Sequence, residues 1–261
     1  MAKSSGIGDS LLVDGYDLSG DIGAVDSIID RCNLLEVTGL DKGAIERIAG
    51  LADCELNFTA WFNDDTGHAH PVLKAPGTGD HRVQYLHGSA VGGAAVQMLG
   101  KQVDYAGTRG ADGSLSMAVQ VMGSDGTGIH WGRMLTAGKR TDTAATSGDT
   151  VDDGAATSAG ASIQLQVTAF AGTDATVKIE DSANGSTWAD LSGAAFTAIT
   201  TAPTSESIAV TGTGRRYVRA TTTTTGGSGG STFMPVDDGN DCTDDVCMDG
   251  MPVNNDKAMG K

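Results

Sequence analysis

Aromatic side chains make up only 5% of these 261 residues, with three Trp, five Phe and four Tyr. A chain so poor in them offers no exposed row of rings for stacking sugars or bases. Basic residues are also scarce: 17 Lys and Arg stand against 33 Asp and Glu, for a formal charge of −16. The deficit is even, with 19 acids against 11 bases in residues 1–150 and 14 against 6 thereafter. No basic block relieves it, so a protein that grips phosphates through counterion release is excluded. Passage of DNA close by without adhesion is not. No run of 18 apolar residues occurs, so no membrane-spanning helix is expected. The opening MAKSSGIGDSLLVDG lacks the apolar centre of a secretion signal.

What the chain has instead is small residues. Gly alone reaches 38, while hydrophobic residues hold at 39%, enough for ordinary cores. Short strands joined by turns suit that mixture better than Leu-striped helices. In LADCELNFTAWFND (51–64), Cys54, Leu56, Phe58, Ala60 and Phe62 alternate with Glu55, Asn57, Thr59, Trp61 and Asn63. Period two predicts a long strand with one face on a core, and leaves a Trp on its polar side. RVQYLHG, AAVQMLGKQVDY and GSLSMAVQVM read as further strands, and SDGTG as the turn of a hairpin into IHWGRMLTA. LLEV (34–37) reads as a short strand of its own. One helix is expected over GLDKGAIERIAGL, with Asp41 as its cap and Ala44, Ile45, Ile48 and Leu51 at helical spacing. Residues 63–82 form an aperiodic loop, of a length that tends to be functional or ordered by a partner.

The composition then shifts. Residues 141–160 read as a linker between a domain over 1–140 and a small β-sandwich over 161–236, whose strands include SIQLQVTAF, ATVKIED, WADL, ESIAVTG, RRYVRATTT and STFMPV. The acidic residues 237–261 read as a flexible tail. Cys32 and Cys54 read as small buried hydrophobes rather than a disulfide.

Candidate chemistry is thin. GHAHP puts His68 beside His70, but in a polar loop followed by Pro71, so solvated histidines are the plainer reading than a zinc pair. In the tail, Asp238, Asn240, Asp241, Asp244 and Asp245 supply hard oxygens of the kind calcium takes, without EF-hand spacing. DDGNDCTDDVC looks like one copy of an Asp- and Cys-rich repeat of secreted bacterial proteins, which makes Cys242 and Cys247 a candidate disulfide. The plainer reading is a solubilising tail, with no metal or cofactor. No nucleophile turn or phosphate loop is present, and catalysis has no support in the sequence.

Three stretches carry a resemblance: LEVTGLDKGAIERIAGLADCELNFTAWFN, GKQVDYAGTRGADGSLSMAVQVMGSDGTGIHWGRMLTAGKRTDT and VKIEDSANGSTWADLSGAAFTA. Together they resemble the major tail, or tail tube, proteins of long-tailed bacteriophages infecting actinobacteria. The resemblance implies an all-β fold with one short helix, two packed antiparallel sheets followed by an Ig-like sandwich. It implies a virion protein, assembled in the host cytoplasm, that joins copies of itself into stacked hexameric rings. DNA would pass through these without specific binding, and tape measure and tail-end proteins would be the other partners. Trp61, Asp64, His68, His70 and Pro71 would then be contacts between subunits, with the loop and the N-terminal arm ordered on assembly. The competing readings are a glycan-binding module built around Trp188 and a connector or terminal tail component of the same fold.

Overall fold

A computed structural model describes residues 5–223 except 78, 125 and 127, and the strand backbones of 243–248 and 251–256. The chain divides into two compact units, at Met134 and Leu135. The first contains β1 (Ser10–Val13), β2 (Tyr16–Asp17), β3 (Ile22–Glu36), β4 (Arg47–Trp61), the helix α1 (Ala69–Leu73), β5 (His81–Leu86), β6 (Ala94–Arg109), β7 (Leu115–Gly123) and β8 (His130–Arg133). All eight strands belong to one antiparallel sheet, ordered β2-β1-β5-β6-β7-β4-β3 with β8 on β6. The β1–β2 hairpin turns on Asp14 and Gly15, both at positive φ, which the two-residue turn between Val13 and Tyr16 requires.

The sheet folds over itself along β6. Residues 95–100 of that strand pair with β5, and 100–109 pair with β7. Gly100 stands at the changeover, where a Cβ would lie 2.5 Å from the Met122 carbonyl oxygen and 2.8 Å from Val121. Only glycine admits that backbone approach. Leu11, Val13, Val83, Val96 and Met98 from one half then meet Cys54, Leu56, Phe58, Val119 and Val121 from the other in a single buried cluster. The alternation holds from 54 to 60, where Cys54, Leu56, Phe58 and Ala60 are all buried; Phe62, expected on the same face, lies past the end of β4 and is exposed.

Several expectations are corrected. The helix anticipated over 39–51 does not form; residues 47–61 are one strand, and 37–46 are the loop that joins it to β3. Leu34, Leu35 and Glu36 of LLEV are the end of the 15-residue β3 rather than a separate strand, and Val37 begins the loop. The helix that does form, α1, sits inside the loop expected to be irregular and buries Ala69 and Leu73 in the core. The strand after SDGTG does not return along β7; β8 pairs with β6 from Ala94 to Gln97.

The second unit contains β9 (Thr146–Ser147), β10 (Val151–Asp152), β11 (Ala161–Val167), β12 (Thr176–Ser182), β13 (Ala189–Ala195), β14 (Thr204–Val210) and β15 (Tyr217–Thr223). Strands β10, β15, β12 and β13, with β9 on β15, form one sheet, and β11 with β14 forms the other. Ile179, Leu191, Ala194 and Ala220 from the first sheet pack with Val210, Ile163 and Leu165 from the second. That is a sandwich with its own core. Residues 141–160, read as a linker, supply β9 and β10 to it. STFMPV lies outside the described residues. In the acidic tail, β16 (Thr243–Met248) and β17 (Met251–Asp256) pair as a hairpin.

Candidate functional site

Four strands of the first unit, β3, β4, β7 and the second half of β6, form a layer with one face on the core. Cross-strand partners share a face, so the registers define what lies on the other side. Ala24, Thr59, Ala118 and Ala106 form one row; Ser27, Asn57, Gln120 and Asp104 the next; Ile29, Glu55, Met122 and Lys101 the third. These side chains are mostly small or polar, and they bond laterally. Asn57 donates to Ser27 at 2.9 Å, Gln120 to Glu55 at 3.0 Å and Thr59 to Asp26 at 2.9 Å. Two cations in and beside these rows are held by carboxylates, Arg31 by Asp53 at 2.7 Å and Lys101 by Asp80 at 2.7 Å. Asp26, Glu55 and Asp104 leave the face with surplus negative charge. Trp61, the anomaly on this polar side, lies on Gly23, where a Cβ would stand 3.0 Å from the indole Nε1.

The layer ends in strands with an open side. Among the described residues β3 pairs only with β4, and β6 beyond Gln102 pairs only with β7. Edge strands this long usually carry Pro, Lys or a covering element. β3 contains neither Pro nor Lys.

Two apolar surfaces lie at the two ends of the same strands. β7 pairs with β4 only between Glu55 and Trp61. Below Glu55, β3 and β4 continue as a two-stranded ribbon projecting by about 25 Å at the usual rise per residue. A β-bulge between Cys32 and Leu34 interrupts its register. Leu34, Leu35, Val37, Leu40, Ile45, Ile48 and Leu51 are all exposed on it, Leu51 at 83% and Leu40 completely. At the opposite end Trp61, Phe62 and Leu115 are also exposed. The Phe62 N–H donates to the Leu115 carbonyl at 3.0 Å, and the Phe62 ring packs on His70 with centroids 4.6 Å apart. Nδ1 of His70 lies 3.1 Å from the Tyr105 hydroxyl.

The expected contact residues fall around this second end. Trp61, Asp64 and His68 are exposed, while His70 and Pro71 are half-buried. The long loop is bonded to its own unit. Asp21 accepts from the Asn63 amide at 2.9 Å and the Ala69 N–H at 3.0 Å, with His68 Nδ1 2.9 Å away. Gln102 donates to the Leu73 carbonyl at 2.7 Å. The segment before β1 is tied down similarly at Asp9, which accepts from Tyr85 and from the Gly88 N–H, with His87 Nδ1 at 3.0 Å.

Burial alone would push the Asp9 and Asp21 carboxyls up, but these donors outweigh it and both sit below the ordinary value. Burial, and next to it Asp9, pushes the Tyr85 hydroxyl up to about 12. A carboxyl lowered by folding contributes stability that is complete above its unfolded pKa and lost as pH falls through the folded one. Thermal stability of the first unit should therefore be flat near neutrality and fall steeply below about pH 4, where free Asp is about half protonated. Melting followed from pH 7 to 3 checks this, and a decline beginning near pH 6 would contradict it.

Asp244, Asp245 and Cys247 fall in β16, whereas Asp238, Asn240, Asp241 and Cys242 lie outside the described residues. Among the described residues no group of His, Cys, Asp and Glu is arranged to hold a metal. Cys54 is buried as expected, but Cys32 is exposed on the ribbon.

No protein family model and no curated protein matches the chain. Among solved structures, it is similar to the Dit protein of phage SPP1, described as a hub of the adsorption apparatus in phages infecting Gram-positive bacteria. The similarity covers 82% of this chain and 98% of that one, at 11% identity and a TM-score of 0.29. Likeness of that strength bears on neither function nor assembly.

Proposed function

We propose that this chain is a structural subunit of a phage tail, a tube protein whose copies close into rings around a channel for DNA. The observation that carries the reading is the layer β3-β4-β7-β6, open along both sides. The β3 edge of one copy has the direction and length to pair with the β6 edge of the next, and repetition of that contact closes a ring when the rotation permits. Closure removes the open edges and turns the small, polar, net-negative face into a continuous inner wall. Carboxylates there repel phosphate, and Arg31 and Lys101 are already paired with carboxylates, so DNA would pass with little adhesion. The hexameric count, the tape measure and tail-end partners, and the place in the virion tail follow from the sequence resemblance and belong to this proposal.

Electron microscopy of the purified full chain tests the reading. Rings or tubes are expected, with strands continuing from one protomer to the next at high resolution. A chain that sediments as a monomer at every concentration overturns it.

A further inference from the structure

The chain has five histidines, and three of them meet carboxylates near its start in one repeated arrangement. Asp9 takes Nδ1 of His87 at 3.0 Å and the N–H of the next residue, Gly88, at 2.8 Å. Asp14 takes Nδ1 of His81 at 2.6 Å and the N–H of the next residue, Arg82, at 2.8 Å. Asp21 treats His68 and Ala69 in the same way and so holds the loop around α1. A charged carboxylate only accepts, so each of these imidazoles, when neutral, carries its proton on Nδ1. His81 adds a second constraint. Its Nε2 is buried without a partner among the described residues, and a proton there would be an unsatisfied donor.

The first two clasps stand at the two ends of one strand pair. β1 pairs with β5 from Ser10 and Leu86 to Val13 and Val83, so Asp9 and Asp14 flank that ladder. The ladder itself is only four residues long, and β2 pairs with β1 over two. Beneath the hairpin β5 reads HRVQYL, with neither Pro nor Lys to discourage pairing with another strand. Asp14 stands in the turn at φ 51°, a conformation that its two bonds help to hold. The hairpin carries Leu11 and Val13 into the core, whereas the opposite half of that core comes from β4 and β7. A short strand pair bolted at both ends can therefore open while the β4–β7 half stays folded.

From this we infer that the β1–β2 hairpin is a latched cover over the β5 edge, fastened at both ends by Asp–His clasps and released as one piece when those carboxylates lose their charge. The inference is independent of the tube reading. The titratable and charged groups against the latches are Tyr85 and His87 at Asp9, and His81 and Arg82 at Asp14. Arg82 also acts on Asp80, which Lys101 holds. Protonating a latch takes an acceptor from two donors at once. Burial raises the Asp9 carboxyl less than Tyr85, His87 and Gly88 together lower it. Its latch is therefore whole near neutrality and is lost as pH falls below about 4. The imidazoles do not oppose this, because neutral or charged they donate through Nδ1.

Amide hydrogen exchange of the full chain tests the latch. In the wild type near pH 7, the amides of β1 and those of β5 that face it should share one opening equilibrium, reached more easily than that of residues 56–60 and 117–121. The double variant Asp9→Asn with Asp14→Asn keeps an acceptor oxygen at each site and tolerates the positive φ at 14. It should speed exchange across both strands together by about tenfold, with 56–60 and 117–121 unchanged. Acidifying the wild type to about pH 3.5, just below the ordinary Asp value, should open the same block first. β1 and β5 exchanging as slowly as before, or 56–60 accelerating by the same factor, overturns the latch. Nitrogen-15 spectra of histidine-labelled wild type give a reading that needs no substitution. Neutral His81 and His87 should carry the proton on Nδ1, and protons on Nε2 instead overturn the clasps.

Discussion

Replacing Phe58 with Ala should cost the first unit about 3–5 kcal/mol, as truncation of a fully buried aromatic does. Phe58 is completely buried in β4, between Val25 of β3 and Val119 of β7, at the middle of the cluster that joins the two halves of the folded-over sheet. Removing its ring opens a cavity that these β-branched neighbours, each fixed by backbone pairing, fill poorly. The loss is comparable to the whole stability of many domains, about 5–15 kcal/mol. Because the second unit has its own buried cluster, the damage should stay local. Calorimetry of the full chain should show one transition moved far down or lost and the other unchanged. Two transitions that fall together would mean that the units do not unfold separately.

The second large effect is expected at Asp21. Its carboxylate is 8% exposed and serves Asn63, His68 and the Ala69 N–H at once, while its backbone carbonyl accepts from the Trp61 N–H at 2.7 Å. Asp21→Ala preserves the backbone bond and strands the three side-chain-held donors, Ala69 in a buried position. Leaving such groups unsatisfied costs about 2–3 kcal/mol. The effect should appear first in residues 63–74, as faster amide exchange with the strands still protected. Asp21→Asn keeps one acceptor oxygen and should give a smaller change in the same residues. Unaltered exchange across 63–74 in the Ala variant would show that the loop is held by something other than this carboxylate.

The two units differ in how openly their sequences declare them. In the second, SIQLQVT and ATVKIED alternate because each strand has one face on the sandwich core, and both were readable as strands. Two-residue strands such as β9 and β10 are too short to show any period, so their segment resembled a linker. In the first unit the strand from Cys54 to Trp61 was plain for the same reason as the sandwich strands. Its continuation back to Arg47 was hidden, since Ile45, Ile48 and Leu51 fit the spacing of a helix and the bulge near Cys32 and Leu34 breaks the period of two. A ribbon apolar on both faces has no single face for alternation to mark. Helix α1 escaped notice because five residues, with Pro71 among them and no side-chain cap from His68, leave no stripe to find. The candidate surface was only partly legible. Trp61 drew attention by sitting on the wrong side of its strand, whereas the exposure of Leu40 and Leu51 depends on where β7 stops pairing.

The seam at Met134 and Leu135 has a further meaning. Each buried cluster is assembled from its own stretch of chain, and among the described residues no strand is shared between the two units' sheets. A splice there would orphan no interior side chain on either side. The sandwich is thus a detachable module: lineages could exchange it for an unrelated fold, or drop it, while the first unit keeps its own sheet and core.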